Sequence, residues 1–175
     1  MKRRVMPLAI VCAFALFASC DKNDDNDNNS TTVSASESAF TPMAAMSNYA
    51  EISAGQLALT KSVDTAVLAF ANKMISDHTH AQDSLKLIAS QLGLNAPDTV
   101  NAEQAAVAAQ LKLLSGRAFD SAYVFSEVDG HVKTIALLNN ETVNGTNTRL
   151  KTYVTTYLPA VMMHKEMADS LATKY

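Results

Sequence analysis

Cysteine, glycine, proline and aromatic residues are all scarce in this 175-residue sequence. Both cysteines, Cys12 and Cys20, fall within the first 20 residues, so the rest of the chain offers no disulfide, thiolate metal site or cysteine nucleophile. Five glycines, four prolines and 6% aromatic residues provide few of the turn and strand signals that sheet proteins need. These shortages favour an all-α fold.

A basic surface is also missing. The chain has 14 basic and 17 acidic residues, and Lys2, Arg3 and Arg4 account for three of the basic ones. An anionic chain without a basic patch argues against binding to nucleic acid. Phosphate-binding glycine loops, serine nucleophile elbows and carboxylate pairs spaced for glycoside hydrolysis are absent too, so the sequence gives no sign of an enzyme.

The first 20 residues have the pattern of an export signal. Three basic residues precede an apolar run over 5–18, which is too short to cross a hydrocarbon core of ~30 Å, so we expect a signal peptide over residues 1–19. Residues 16–20, LFASC, resemble the bacterial lipobox, with Phe17 where leucine is usual. This resemblance implies lipidation at Cys20 and attachment to a membrane. The alternative is an ordinary secretory leader with an incidental cysteine.

Residues 20–35 are predicted to be a flexible tether, because acidic and polar residues dominate and little apolar surface could be buried. The stretch after Cys20 is similar to lipoproteins of Bacteroidetes. That similarity implies export to the outer membrane, facing either the periplasm or the cell surface. The domain proper is then expected at 36–175, and its protein partners are unknown.

Apolar residues at helical spacing predict four long helices and one short connecting helix. We expect the long helices near 36–61, 63–92, 118–140 and 148–173, and the connector near 102–114. Four amphipathic helices of this length form a four-helix bundle of two hairpins. Both an up-down-up-down and a crossover topology fit this pattern.

On the first long helix one carboxylate lies in a stripe of small residues, and on each of the other three a histidine occupies a position of the apolar face. These residues lie near the middle of their helices, so at ~1.5 Å rise per residue they could meet at one depth. They are Glu51, His78, His131 and His164.

The chain resembles the bacterial domain-of-unknown-function family 4142 over about residues 39–171. The resemblance implies a ferritin-like helical bundle with no established activity. In the third long helix, residues 127–131, EVDGH, stand where a closer copy of the MISDH run is usual. The motifs that carry the resemblance are YAEI at 49–52, FANKMISDH at 70–78, FDSAY at 119–123, and Leu158-Pro159 followed by His164.

Three imidazoles and a carboxylate inside a bundle are a plausible ligand set for Zn²⁺, Fe²⁺ or Mn²⁺. A di-iron site of the ferritin type needs Glu-x-x-His on two helices, but Ile75 and Val128 occupy the glutamate positions. The alternative is that the histidines are neutral core residues, hydrogen-bonded to Glu51, to tyrosines or to each other.

Three further features near these histidines are weaker evidence for or against a metal site. Glu127 could orient the His131 ring by accepting a hydrogen bond, or could be an ordinary exposed glutamate. His80 lies off the apolar face and is expected at the surface. The methionines near His164 could bind Cu(I), but methionines at helical spacing more often fill a core.

From the sequence we expect a cell-envelope lipoprotein whose bundle, with its polar His/Glu centre, acts as a binding or stress-related module. One alternative is a protein that binds a single transition-metal ion for sequestration or oxidation. The other is a structural or interaction protein with no ligand. The sequence identifies no reaction and leans against an enzyme.

Overall fold

A computed structural model describes residues 32–175, which form five helices and no strand. The predicted signal peptide, Cys20 and nearly all of the predicted tether lie outside the described residues. Within them, no helix combines the length and the apolar character needed to cross a membrane. The helices confirm the all-α prediction and are α1 (Ala35–Lys61), α2 (Thr65–Leu92), α3 (Ala102–Lys112), α4 (Gly116–Asn144) and α5 (Thr148–Ala172).

Capping residues set the helix ends and explain where the boundaries differ from the predicted ones. Asp64 accepts hydrogen bonds from the first-turn amides of α2, so this helix begins at Thr65 rather than at 63. Gly93, with φ of 67°, ends α2 in the left-handed conformation that glycine adopts at low cost. In α4 the helix continues past the predicted end at 140, and the Gly145 amide closes it on the Glu141 carbonyl.

The helices pack as two antiparallel hairpins, α1 with α2 and α4 with α5, and α1 also packs on α4 and α2 on α5. The hydroxyl oxygens of Ser47 and Thr134 lie 2.6 Å apart. Earlier in α1, the Glu37 carboxylate accepts a hydrogen bond from the backbone amide of Thr146, which comes later in the chain than Thr134. Thus α1 and α4 are antiparallel, and α2 and α4 run in the same direction. The connection over 93–115 must therefore travel the length of the bundle, which is the crossover topology of ferritin-like folds.

A polar layer divides the interior into two apolar clusters. On α2, Met74 belongs to one cluster and Ala81 to the other, with His78 between them. On α4, His131 likewise separates Val124 from Leu138. The expectation that the polar core residues meet near mid-height of the bundle is confirmed for the three histidines.

Candidate metal centre

The imidazoles of His78, His131 and His164 meet inside the bundle. Their ring centroids are 5.3 to 5.8 Å apart, and each residue is only 1–2% exposed. One ring nitrogen of each lies within 4.8 Å of a ring nitrogen of the other two. Donor atoms around a tetrahedral zinc ion are ~3.4 Å apart for bonds of ~2.0–2.1 Å. Small side-chain adjustments would therefore bring the three nitrogens to a common ion.

Each imidazole is held from outside this cluster by a hydrogen-bond acceptor. His78 Nδ1 lies 3.1 Å from the side-chain oxygen of Asn48, and His164 Nε2 lies 2.8 Å from a carboxylate oxygen of Asp77. His131 Nδ1 lies 2.8 Å from the backbone carbonyl of Glu127. In a neutral imidazole, an acceptor at one ring nitrogen places the proton there, so the other nitrogen carries a lone pair.

The other nitrogen of each ring is buried and has no hydrogen-bond partner among residues 32–175. These atoms are His78 Nε2, His131 Nε2 and His164 Nδ1. Three lone pairs without a donor are a costly arrangement in a protein interior, because each unmet acceptor loses its hydrogen bond to water. The ring partners also differ from those expected for a neutral core, since they are Asn48, Asp77 and a carbonyl rather than Glu51 or tyrosines.

Burial keeps two of the rings uncharged. It lowers the pKa of His78 to about 4, against the attraction of the Glu51 charge. Burial also lowers the pKa of His164, although its hydrogen bond to Asp77 opposes the change. Neutral imidazole is the form that coordinates metal ions.

Glu51, the predicted carboxylate ligand, is not part of the three-histidine group. It lies instead with Glu127 at the Nδ1 edge of His131, at 3.9 Å for Glu51 Oε1 and 3.8 Å for Glu127 Oε2. Glu127 is 3% exposed, so of the two alternatives for this residue the ordinary exposed glutamate is wrong. The expected hydrogen bond to His131 exists, but the backbone carbonyl of Glu127 accepts it rather than the carboxylate.

The two carboxyl groups differ in protonation. Burial raises the pKa of Glu127 well above its usual range, and the negative charge of Glu51 raises it further. For Glu51, burial is outweighed chiefly by electrostatic attraction to His131 and by a hydrogen bond with Glu127, so its pKa is lowered. The pair therefore holds one proton, on Glu127, and one negative charge, on Glu51.

Gly130 makes room for Glu51 against α4. A Cβ atom at position 130 would lie 3.3 Å from Glu51 Oε1, which is tighter than an ordinary contact. Glycine within a helix costs ~1 kcal/mol relative to alanine. The close approach of the carboxylate accounts for a glycine in the middle of α4.

Two spaces adjoin the polar layer. A cavity of about 20 Å³, close to the volume of one water molecule, is lined by His78, His164 and Asn48. A groove of about 560 Å³ lies between α1, α3 and α4 and reaches Glu51 and Glu127. Thus the histidines adjoin only a small space, whereas the carboxyl pair is open to a large one.

Asn48 and Asp77 are the functional residues that sequence reasoning missed. Asp77 directly precedes His78 in the MISDH run, which was available as a signal. Asn48 lies three residues before Glu51 on the same face of α1. A single amide among small residues is not a pattern that predicts a hydrogen bond to a histidine. As expected, His80 is exposed. Met162 and Met163 are exposed, at 49% and 41%, whereas Met167 is partly buried and packs against the apolar core.

Comparison with known proteins yields one match. The family model described as "Domain of unknown function (DUF4142)" matches residues 22–171. No curated protein and no solved structure matches the chain.

Proposed function

The chain belongs to the DUF4142 family, and we propose that its bundle binds one divalent transition-metal ion through His78, His131 and His164. The observation that carries this proposal is the direction of the three rings. One nitrogen of each ring has a hydrogen-bond acceptor, and the other nitrogen is buried and unpartnered among the described residues. Metal-bound histidines in proteins show the same arrangement, with the second ring nitrogen fixed by a carboxylate, amide or carbonyl.

The donor set indicates which ions fit. Three neutral imidazoles suit Zn²⁺ and Fe²⁺, whereas Mn²⁺ prefers carboxylate and water oxygens. Three protein ligands also leave a coordination position for water or a small molecule. Glu51 would contribute negative charge near the ion from its place beside His131. Because only one imidazole meets the carboxyl pair, the residues do not fit a dinuclear ferritin-type site.

Metal titration of the purified, chelator-treated protein tests the proposal. We expect one Zn²⁺ or Fe²⁺ per chain and a rise in melting temperature, since a ligand at ~100 times its Kd adds about 2.7 kcal/mol of stability. His131→Leu should remove the response, because one of three ligands is lost.

The exposed His80 supplies the matched control. His80→Leu should bind metal as the wild type does, since this ring lies outside the cluster. Equal melting temperatures with and without every ion tried would reject the metal site, and so would an equal loss in both variants.

We also propose that the protein is exported and attached to the outer membrane through acyl chains on Cys20. The support is the sequence alone: the basic start, the short apolar run and the LFASC pattern. In this arrangement the metal-binding bundle stands off the membrane on an acidic tether and acts as an envelope binding module.

A further inference from the structure

The groove between α1, α3 and α4 is large enough for a small organic molecule. Its volume of about 560 Å³ falls within the ~300–1,000 Å³ typical of ligand sites. Leu111 is the only buried residue of α3, so most of this helix does not pack closely against the bundle. The groove is the space that remains between them. The crossover segment therefore forms a wall over α1 and α4 rather than filling the space between them.

Apolar side chains from all three helices contribute to the lining of this groove. Leu57 of α1, Val107 and Leu111 of α3, and Leu137 of α4 all line it. Val107 is 38% exposed. Such walls favour a ligand that has an apolar body, because contact with it would remove this surface from water.

The floor of the groove has the opposite character. Glu51 and Glu127 line it, and they are only 6% and 3% exposed. The Oε2 atom of each is buried and has no hydrogen-bond partner among the described residues. The Tyr123 hydroxyl is the chain's own donor beside Glu127. The buried, unpartnered Oε2 of Glu51 therefore indicates a donor group from outside the chain.

The basic residues near the groove do not meet this need. Lys133 is more than half exposed and pairs with Asp129 at 2.8 Å and with Glu103 at 2.5 Å, at the rim. Lys112 lines the groove but is exposed at the end of α3. Thus neither of these lysines, which also line the groove, forms an ion pair with Glu51 or Glu127.

We propose that this groove binds an amphipathic organic amine, whose ammonium group donates hydrogen bonds to Glu51 and Glu127 and whose apolar body lies against α3. An ammonium carries several N–H donors on one atom, so it can serve both carboxyl groups at once. It also compensates a buried negative charge, which an alcohol cannot do. A carboxylic acid anion is excluded by like-charge repulsion.

This site is separate from the three-histidine centre. The amine would approach the carboxyl pair at the Nδ1 edge of His131, whereas the proposed metal binds at the unpartnered Nε2. Amine binding can therefore be measured on chelator-treated protein. Metal binding and amine binding are measured separately, so either proposal can fail while the other holds.

Calorimetric titration with 2-phenylethylamine, and with its neutral analogue 2-phenylethanol, tests the proposal on the purified full-length protein. We expect saturable binding of one amine per chain and binding of the alcohol weaker by about tenfold or more, the usual effect of losing a charged hydrogen bond. Glu51→Gln should weaken the amine by a similar factor while keeping the shape of the floor.

A pair of tryptophan variants on α3 locates the ligand. Ala108 lines the groove, whereas Ala109 is exposed and does not line it. Ala108→Trp should fill the groove and abolish amine binding, and Ala109→Trp should leave it unchanged. Circular dichroism of both variants should match the wild type.

Three results would overturn the proposal: no saturable binding of the amine, equal affinity for the alcohol, or amine binding that survives in Ala108→Trp. Equal affinity for the alcohol would show that the groove binds apolar ligands without using Glu51 and Glu127. The third would place the amine elsewhere on the chain.

Discussion

The carboxylate of Asp77 lies 2.8 Å from Nε2 of His164 and joins α2 to α5 beside the histidine cluster. Asp77 is about 30% exposed on its side chain, whereas His164 is almost fully buried. The pair thus connects the surface to the proposed metal centre. The carboxylate fixes the proton on Nε2 and leaves Nδ1 free to bind a metal.

Replacing Asp77 should therefore weaken metal binding without removing a ligand. We expect Asp77→Ala to raise the Kd for Zn²⁺ by about 10- to 100-fold, the usual effect of losing the partner that orients a metal-bound histidine. Calorimetric titration of chelator-treated protein measures this. Asp83→Ala, an exposed aspartate on the same helix, is the control and should bind as the wild type does. An unchanged Kd in Asp77→Ala would contradict the role of this carboxylate.

Much of the fold could be predicted because helical periodicity is a local signal. The gaps at His78 and His131 in otherwise apolar faces placed both rings in the core at mid-height, where they lie. The direction of the crossover could not be predicted, since either topology buries the same faces. It depends on contacts such as that of Ser47 with Thr134, between residues distant in sequence.

The composition of the site was harder to predict than its position. Glu127 is four residues before His131, and that spacing predicts a side-chain contact. That contact exists, at 3.8 Å, but the burial of the carboxyl group depends on the packing of α1 against α4, which no local pattern encodes. The roles of Asn48 and Asp77 likewise depend on which ring nitrogen faces outward, a property of packing between helices.

Another buried carboxyl group, that of Glu141, gives the protein a pH-dependent stability. Glu141 is fully buried, and neither of its oxygens has a hydrogen-bond partner among the described residues. Burial, together with the negative charge of Glu37, raises the pKa of Glu141 to about 7. Since the pKa in the unfolded chain is ~4.3, the folded state holds the proton more tightly, and stability falls as pH rises through this window.

Glu141→Gln should remove this dependence. Between pH 5 and pH 8 we expect the wild type to lose about 2–3 kcal/mol more unfolding free energy than the variant, so the variant is the more stable at pH 8. Urea denaturation at both pH values measures the difference. Glu166→Gln on the exposed face of α5 should keep the wild-type pH profile. Parallel profiles for wild type and Glu141→Gln would show that Glu141 has no elevated pKa.

The proposed lipid anchor gives a direct biochemical prediction. Cys20→Ala should abolish fatty-acid labelling in cells and leave an unprocessed precursor, because acylation and processing both depend on that thiol. Cys12→Ala lies within the apolar run and is the matched control, expected to label and mature normally. Labelling and mobility of Cys20→Ala equal to those of the wild type would remove the anchor from the proposal.

The contact between Gly130 and Glu51 predicts a dependence between two substitutions. Alanine should improve the helical propensity of α4 by ~1 kcal/mol, but its Cβ would lie 3.3 Å from Glu51 Oε1. In the wild-type background the carboxylate must move toward the groove, which offsets part of the gain. In Glu51→Ala no carboxylate is present to move. Urea denaturation of the four proteins in this cycle should therefore show a larger gain from Gly130→Ala when Glu51 is absent, by about 0.5 kcal/mol or more. Equal gains in both backgrounds would mean that Gly130 is not needed to accommodate Glu51.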